Sequence, residues 1–361
     1  MGANGDRTPR FERYVDGWNA ERPHALASGT KSFSGVLAMA AIEDGLITSL
    51  DEVVSDTLIE WKDDPRKSTI TVRHLLTLAS GLEPNHPSLG RQGFGIEGIT
   101  EGPGAERDGP IARRMRERMK ERAEKEKPAD RFAASVAIPA ERAPGQTFRY
   151  GPSHFYAFGE LLERKLRASN RAERTFFDYL QARVLRPCGI AVGIERFAPD
   201  AGNKPGLPGS GHLTAREWAR FGEAMLTDAL AASDAARTPI ILRPESVGAC
   251  MTPSSTNPAY GLTWWIFTGQ SNETIDIAES GGVGVTVVVG AEPQATPRSD
   301  TVLDAQGKPV RIWMAAGAGG QRLYLLPDHQ AVIVRFGAFG RSGRDYSDVT
   351  FLRTLLAERE P

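Results

Sequence analysis

The chain of 361 residues carries 44 Lys+Arg against 45 Asp+Glu, a formal net charge of -1, which excludes a broadly basic nucleic-acid binder. With 40 % hydrophobic and 25 % charged residues it can bury a real core, and global disorder is excluded. No apolar run reaches the roughly 18 residues of a membrane span, and the two cysteines, Cys188 and Cys250, are too few for a disulfide framework and read as buried thiols.

Taken in order, Arg10 to Val15 alternates charged and apolar residues, which predicts a strand, and Asp16-Gly17-Trp18 predicts a turn. Leu26 to Asp44 turns helical, with Phe33, Val36, Leu37, Ala40 and Ala41 at helix spacing and Gly45 as the stop. Ile70 to Ser80 predicts a second helix, capped by Thr71 and ended by Gly81. Residues 84 to 110 read as a surface excursion. The stretch Arg113 to Lys127, with eight positive and four negative residues, reads as a solvated helix laced with i,i+4 pairs. Further helices are expected at Phe155 to Leu166, Thr175 to Leu185 and Thr214 to Leu230, the last opened by a capping box with Glu217. The final third changes to short strands: Tyr260 to Phe267, Val283 to Val289, Val310 to Met314, Arg322 to Leu326 and Ala331 to Phe336, with a loop over 291 to 308 and a closing helix over Val349 to Leu356. This order predicts an α/β (α+β) fold: an antiparallel sheet flanked by helices, with an inserted, mainly helical lobe. One domain over 1–361 is expected, with an α/β lobe at about 1–44 and 231–361 and the helical lobe at about 45–230.

Three stretches carry chemistry. Ser28-Gly29-Thr30-Lys31 is an S-x-x-K at a helix start. A tetrad this short occurs by chance in a chain of this length, and on the motif alone a capped surface helix is the better explanation. Residues i and i+3 nevertheless share a helix face, so Lys31 can reach the Ser28 hydroxyl, and a neutral lysine can activate it. Pro144 to Ser153 sets a Pro-Gly turn and an extended piece before a helix, and Tyr150 there reads either as a proton shuttle or as a structural aromatic. Met314 to Gln321 is rich in Ala and Gly between two strands. It reads as a tight hairpin or as a place where backbone approaches a ligand. The six histidines show no metal-ligand spacing, and His154 is the one nearest Tyr150.

In this order the three elements resemble the serine β-lactamase and penicillin-binding-protein superfamily, in particular the branch of class C β-lactamases, family VIII esterases and 6-aminohexanoate-dimer hydrolases. Phe33 to Asp51, Ile70 to Leu82, Gly209 to Leu226 and Tyr260 to Trp265 resemble other stretches of that family, and the resemblance runs from Phe11 almost to the end. It implies a β-lactamase/transpeptidase-like fold and a serine hydrolase working through an acyl-enzyme on an ester or amide, with no cofactor and no metal. Ser28 is then the nucleophile, Lys31 and Tyr150 share the base and proton-relay roles interchangeably, and the N–H groups of Ser28 and Ala318 form the oxyanion hole. Gly317, Gly319, Ser153, Trp264 and Trp265 are expected to touch substrate, although strand alternation lets only one of the two tryptophans face inward.

The chain also departs from the family pattern. Its Y-x-N asparagine is replaced by Pro152, so Ser153 or a neighbour is expected to substitute. Its K-T-G cation has become Ala315-Ala316-Gly317, which argues for an esterase or amidase rather than an efficient β-lactamase, with Arg149, Arg311 and Arg322 as possible replacements. The alternatives are a binding protein of the same fold that has lost turnover, and a D-amino-acid peptidase or carboxypeptidase. Only 27 residues precede Ser28, so the chain is expected to start near the family's second strand, without the N-terminal part. The polar start, Met1 to Pro9, shows no secretory signal and leaves cytoplasmic and periplasmic locations both open. The expected partner is a small-molecule ester or amide, with no nucleic acid and no membrane span; the oligomeric state is not readable from sequence.

Overall fold

The computed structural model describes residues 11–90, 114, 117, 118, 121, 129–231, 238–267, 302, 304, 306–337 and 346–357. The strand expected at Val283 to Val289 and most of the charged stretch 113–127 and of the loop 291–308 lie outside these residues.

The helices follow their caps. The Thr71 side chain accepts from the N–H of His74, whose ring reaches back to the Thr71 N–H, and so opens α2 (Val72–Leu76). Thr175 with Asp178 opens α5 (Phe176–Leu180) and Thr214 with Glu217 opens α6 (Ala215–Leu230) in the same reciprocal way. α1 (Ser32–Glu43) is buried from Ser32 to Ala41 on every side, as expected of a helix apolar all round. It is the central helix, continuous with a 3-10 turn over Ala27–Lys31. α3 (Arg131–Val136), α4 (Ser153–Ala168), α7 (Pro244–Cys250) and α8 (Asp348–Ala357) complete the set used below.

A four-stranded antiparallel meander runs in the order β3 (Trp265–Phe267), β4 (Ile312–Gly317), β5 (Gln321–Leu326), β6 (Ala331–Arg335). β5 is buried along its whole length because both faces of the sheet are covered. Leu323 and Leu325 meet α6 at Gly222, where an added Cβ would lie 2.7 and 3.0 Å from their methyl groups. Tyr324, on the opposite face by strand alternation, stacks on Phe351 of α8 at 6.0 Å. A separate two-stranded ladder pairs β1 (His24–Ala25) with β2 (His212–Leu213) and so ties the approach to Ser28 to a loop nearly two hundred residues later.

Three sequence expectations are corrected. Residues 11–15 are irregular, not a strand. The helix expected over Ile70 to Ser80 ends at Leu76, because Leu78 takes a left-handed conformation with φ 57°. The strand expected over Tyr260 to Phe267 begins only at Trp265, because Thr263 turns the chain at φ 67° and commits its carbonyl and hydroxyl oxygens to Ser32 Oγ and the Gly35 N–H. The helices α3 and α7 stand where the sequence pattern predicts none.

Candidate active site

From His24 to Ala41 every residue is buried except Ser28, which is partly exposed. Ala27, just before it, holds φ 48°, a left-handed conformation that costs a non-glycine residue roughly 1–3 kcal/mol. The surroundings fix that conformation. The Leu26 N–H donates to Gly211 O at 2.7 Å, and the Thr30 hydroxyl donates to Ala27 O at 2.7 Å while accepting from the Gly211 N–H at 3.0 Å. The turn therefore presents one hydroxyl from an otherwise sealed segment.

Lys31 is buried and donates from Nζ to Ser28 Oγ at 2.9 Å and to the Pro208 carbonyl. Its amine also lies 4.8 Å from the Tyr150 ring centroid and 5.5 Å from that of Phe155. Burial lowers its pKa from the usual lysine value to about 7. Tyr150 is partly exposed and its hydroxyl is hydrogen-bonded to Ser28. Burial pushes its pKa up to about 12, against the smaller lowering effects of the Ser28 bond and the Arg322 charge. The amine is thus the group of this pair that loses its proton near neutrality, and the phenol keeps its own.

Tyr150 is held by the backbone on either side. The Arg149 N–H donates to Leu78 O at 2.8 Å, and His154 Nε2 donates to Arg149 O at 2.8 Å. His154 Nδ1 accepts from the Ser80 hydroxyl at 2.8 Å, and burial lowers the ring's pKa to about 4, which keeps it neutral in this role. The third element arrives as the end of β4. Gly317 lies so close to the Ser28 segment that an added Cβ would be 2.1 Å from Leu26 O and 3.0 Å from Ala27 Cβ. Ala318, in the turn that follows, is partly exposed between buried Gly317 and Gly319, and Gly319 and Gly320 both hold φ 75°.

The structure brings Ser28, Lys31 and Tyr150 together and sets the Gly317–Gly319 turn beside them. Trp265 borders the group, its ring 6.0 Å from that of Tyr150 and 4.8 Å from that of Tyr260. Two expected substrate contacts are corrected. The Ser153 hydroxyl is fully buried and donates to Pro84 O at 2.9 Å, so it does not stand in for the absent asparagine. Trp264 is fully buried against Phe221, so it has no face for a ligand. The Pro208 carbonyl instead accepts a hydrogen bond from Lys31 Nζ; a backbone acceptor on a distant loop leaves no side-chain signal in the sequence. None of the three arginines considered for the third-motif cation is a free charge: Arg149 pairs with Glu141, Arg311 with Asp328 and Arg322 with Asp348.

Among the described residues, no group of three or more His, Cys, Asp or Glu side chains could hold a metal ion, and no helix is long and apolar enough to cross a membrane.

Known structures share this architecture at low identity. A protein of Bacteroides dorei DSM 17855 classed as a β-lactamase superposes with a TM-score of 0.58 at 15 % identity, over 96 % of this chain and 90 % of its own. A Bacillus anthracis protein classed as a 6-aminohexanoate-dimer hydrolase gives 0.57 at 17 %, over 96 % and 74 %. The simvastatin synthase LovD of Aspergillus terreus gives 0.53 at 17 %, over 94 % and 84 %. At these identities the likeness is one of fold. No curated protein matches the chain. The family profile described as Beta-lactamase, however, matches residues 3–345, spanning all three elements of the site, and with the mixed helix and antiparallel-sheet architecture it places this chain in the Beta-lactamase family, whose serine-hydrolase fold it carries.

Proposed function

We infer that the protein hydrolyses an ester or amide through an acyl-enzyme on Ser28. The observation that carries this reading is the Lys31 amine, buried, 2.9 Å from the Ser28 hydroxyl and with its pKa brought down to about 7. Neutral Lys31 takes the Ser28 proton as Oγ bonds to the substrate carbonyl carbon. The carbonyl oxygen gathers charge, which the N–H groups of Ser28 and Ala318 receive. Tyr150, protonated throughout the neutral range, passes a proton to the leaving group as its bond to carbon breaks. Water then attacks the acyl group with Lys31 and Tyr150 in the reverse roles, and Ser28 regains its proton.

The apolar third motif bears on the substrate. Ala315 and Ala316 are buried and carry no charge for a carboxylate, and a charge-assisted contact of this kind contributes about 1.5–3 kcal/mol. Trp265 offers an apolar edge beside Tyr150. A neutral acyl ester or amide is therefore favoured over a penicillin. In a panel of p-nitrophenyl esters, an anilide and benzylpenicillin, the expected order of kcat/KM puts the neutral ester at least ~10-fold above the penicillin, about the worth of that missing contact. Turnover of the penicillin alone would reverse the substrate assignment, and turnover of none of them would support instead a binding protein of this fold.

A further inference from the structure

Arg322 of β5 and Arg335 of β6 are direct register partners. Like charges opposite each other on neighbouring strands destabilise a sheet, and such breaches of local rules concentrate where function requires them. Both arginines donate into the turn that carries Ala318. Arg322 Nη1 donates to Gly317 O at 2.8 Å, and Arg335 Nη1 donates to Gly320 O at 2.7 Å. Gln321, between them in function, donates from Nε2 to Gly319 O at 3.3 Å and to Gly337 O at 2.8 Å. The carbonyls on both sides of Ala318 are thus held from the sheet.

The first of these bonds matters most. Gly317 C=O and Ala318 N–H belong to one peptide unit, which is planar and trans, so the two groups point in opposite directions. A side chain that pins the carbonyl therefore aims the N–H the other way. Arg322 is only 6 % exposed and is anchored in turn. Asp348 accepts from its Nε at 2.7 Å and its Nη2 at 3.1 Å, and also accepts from the Tyr324 hydroxyl. Tyr324 and Tyr346 share a hydrogen bond of 2.6 Å, and the Arg335 guanidinium sits 3.6 Å from the Tyr346 ring centroid, which meets its charge with a π face. One carboxylate, two phenols and a peptide plane thus absorb the paired cations.

We propose that Arg322, with Arg335 as its support, is the positioning residue of the oxyanion site: it aims the Ala318 N–H at the oxygen of the acyl group on Ser28. It touches no substrate and acts through the Gly317–Ala318 peptide. This rests on the acyl-transfer reading above.

The test compares wild type with Arg322→Lys, whose ammonium lacks the planar fork that reaches Asp348 and Gly317 O together. It also uses the charge-neutral pair Arg322→Gln with Asp348→Asn, in case the lysine variant does not fold, and Arg335→Gln. Active sites are counted with a fluorophosphonate, and p-nitrophenyl butyrate turnover, phenylboronic acid inhibition and melting temperature are measured on the folded variants. Loss of one oxyanion donor lowers kcat by about 10²–10³-fold, so mis-aiming it predicts a fall of at least ~10-fold in kcat per titrated site. KM stays within about 2-fold, boronic acid inhibition weakens in proportion to kcat, and the pH midpoint set by Lys31 does not move, because only the tetrahedral species uses this donor. Arg335→Gln shows the same pattern at smaller size. Folded variants with lowered melting temperature but wild-type kcat per site would overturn the positioning role and leave the acyl-transfer reading intact. Wild type that takes up no fluorophosphonate would overturn both.

Discussion

Ser28→Ala is expected to lower kcat/KM for a neutral p-nitrophenyl ester by at least ~10⁴-fold, with KM nearly unchanged, since removal of a nucleophile leaves only binding and oxyanion stabilisation. The fold should be indifferent to the change. Ser28 is partly exposed, and the hydroxyl makes no bond that holds the backbone: the 3-10 turn is fixed by Leu26, Thr30 and Gly211. A melting temperature within a few degrees of wild type is therefore expected, because the truncation removes the side-chain partner of Lys31 Nζ and Tyr150 but no backbone bond, and a lost hydrogen bond costs about 0.5–1.5 kcal/mol. Steady-state kinetics on purified variant and wild type read this directly. A variant that retains turnover within tenfold of wild type would move the nucleophile elsewhere.

Lys31→Met is expected to cost about 10²–10⁴ in acylation rate, the usual contribution of a positioned base. It should also change the shape of the pH profile. In the wild type Lys31 holds a pKa of about 7 because burial among the Tyr150 and Phe155 rings, beside Ser28 Oγ and Pro208 O, shuts its amine away from water. Below that pH the amine carries a proton and cannot accept another. Above it the amine is free to act, so kcat/KM should rise with pH through about 7 and then level off. Tyr150, pushed up to about 12, contributes no inflection in this range. In Lys31→Met the inflection near 7 disappears, and the residual rate grows only with hydroxide. An inflection that survives the substitution would assign the base role to another group.

These expectations also show which parts of the protein its sequence announces. The caps at Thr71 and Thr214 are local chemistry, a hydroxyl and a partner three residues on, and they appear in the structure at those positions. The meander of β4 to β6 follows from short apolar runs broken by Gly and Pro. Where the sequence misled, a tertiary contact overrode a local pattern. Leu78 and Thr263 leave their expected helix and strand because their carbonyls serve Arg149 and Ser32 across the fold. The alternation of residues 11–15 has no strand beside it among the described residues and stays irregular. The S-x-x-K tetrad is ambiguous by itself and gains meaning only from its order with Tyr150 and Gly317, and composition does not encode the burial of every neighbour but Ser28. The Pro208 carbonyl, the strained Ala27 and the Arg322–Gly317 bond are backbone features, and one-dimensional patterns of side chains do not encode them.

The most direct test is the intact mass of the wild-type chain, quenched in acid within seconds of mixing with a chromogenic ester or a fluorophosphonate. One added acyl or phosphonyl group per chain, carried by the peptide that contains Ser28 and absent from Ser28→Ala, is the predicted result. An unmodified chain that still releases product, or an adduct on any other residue, would contradict a covalent route through Ser28.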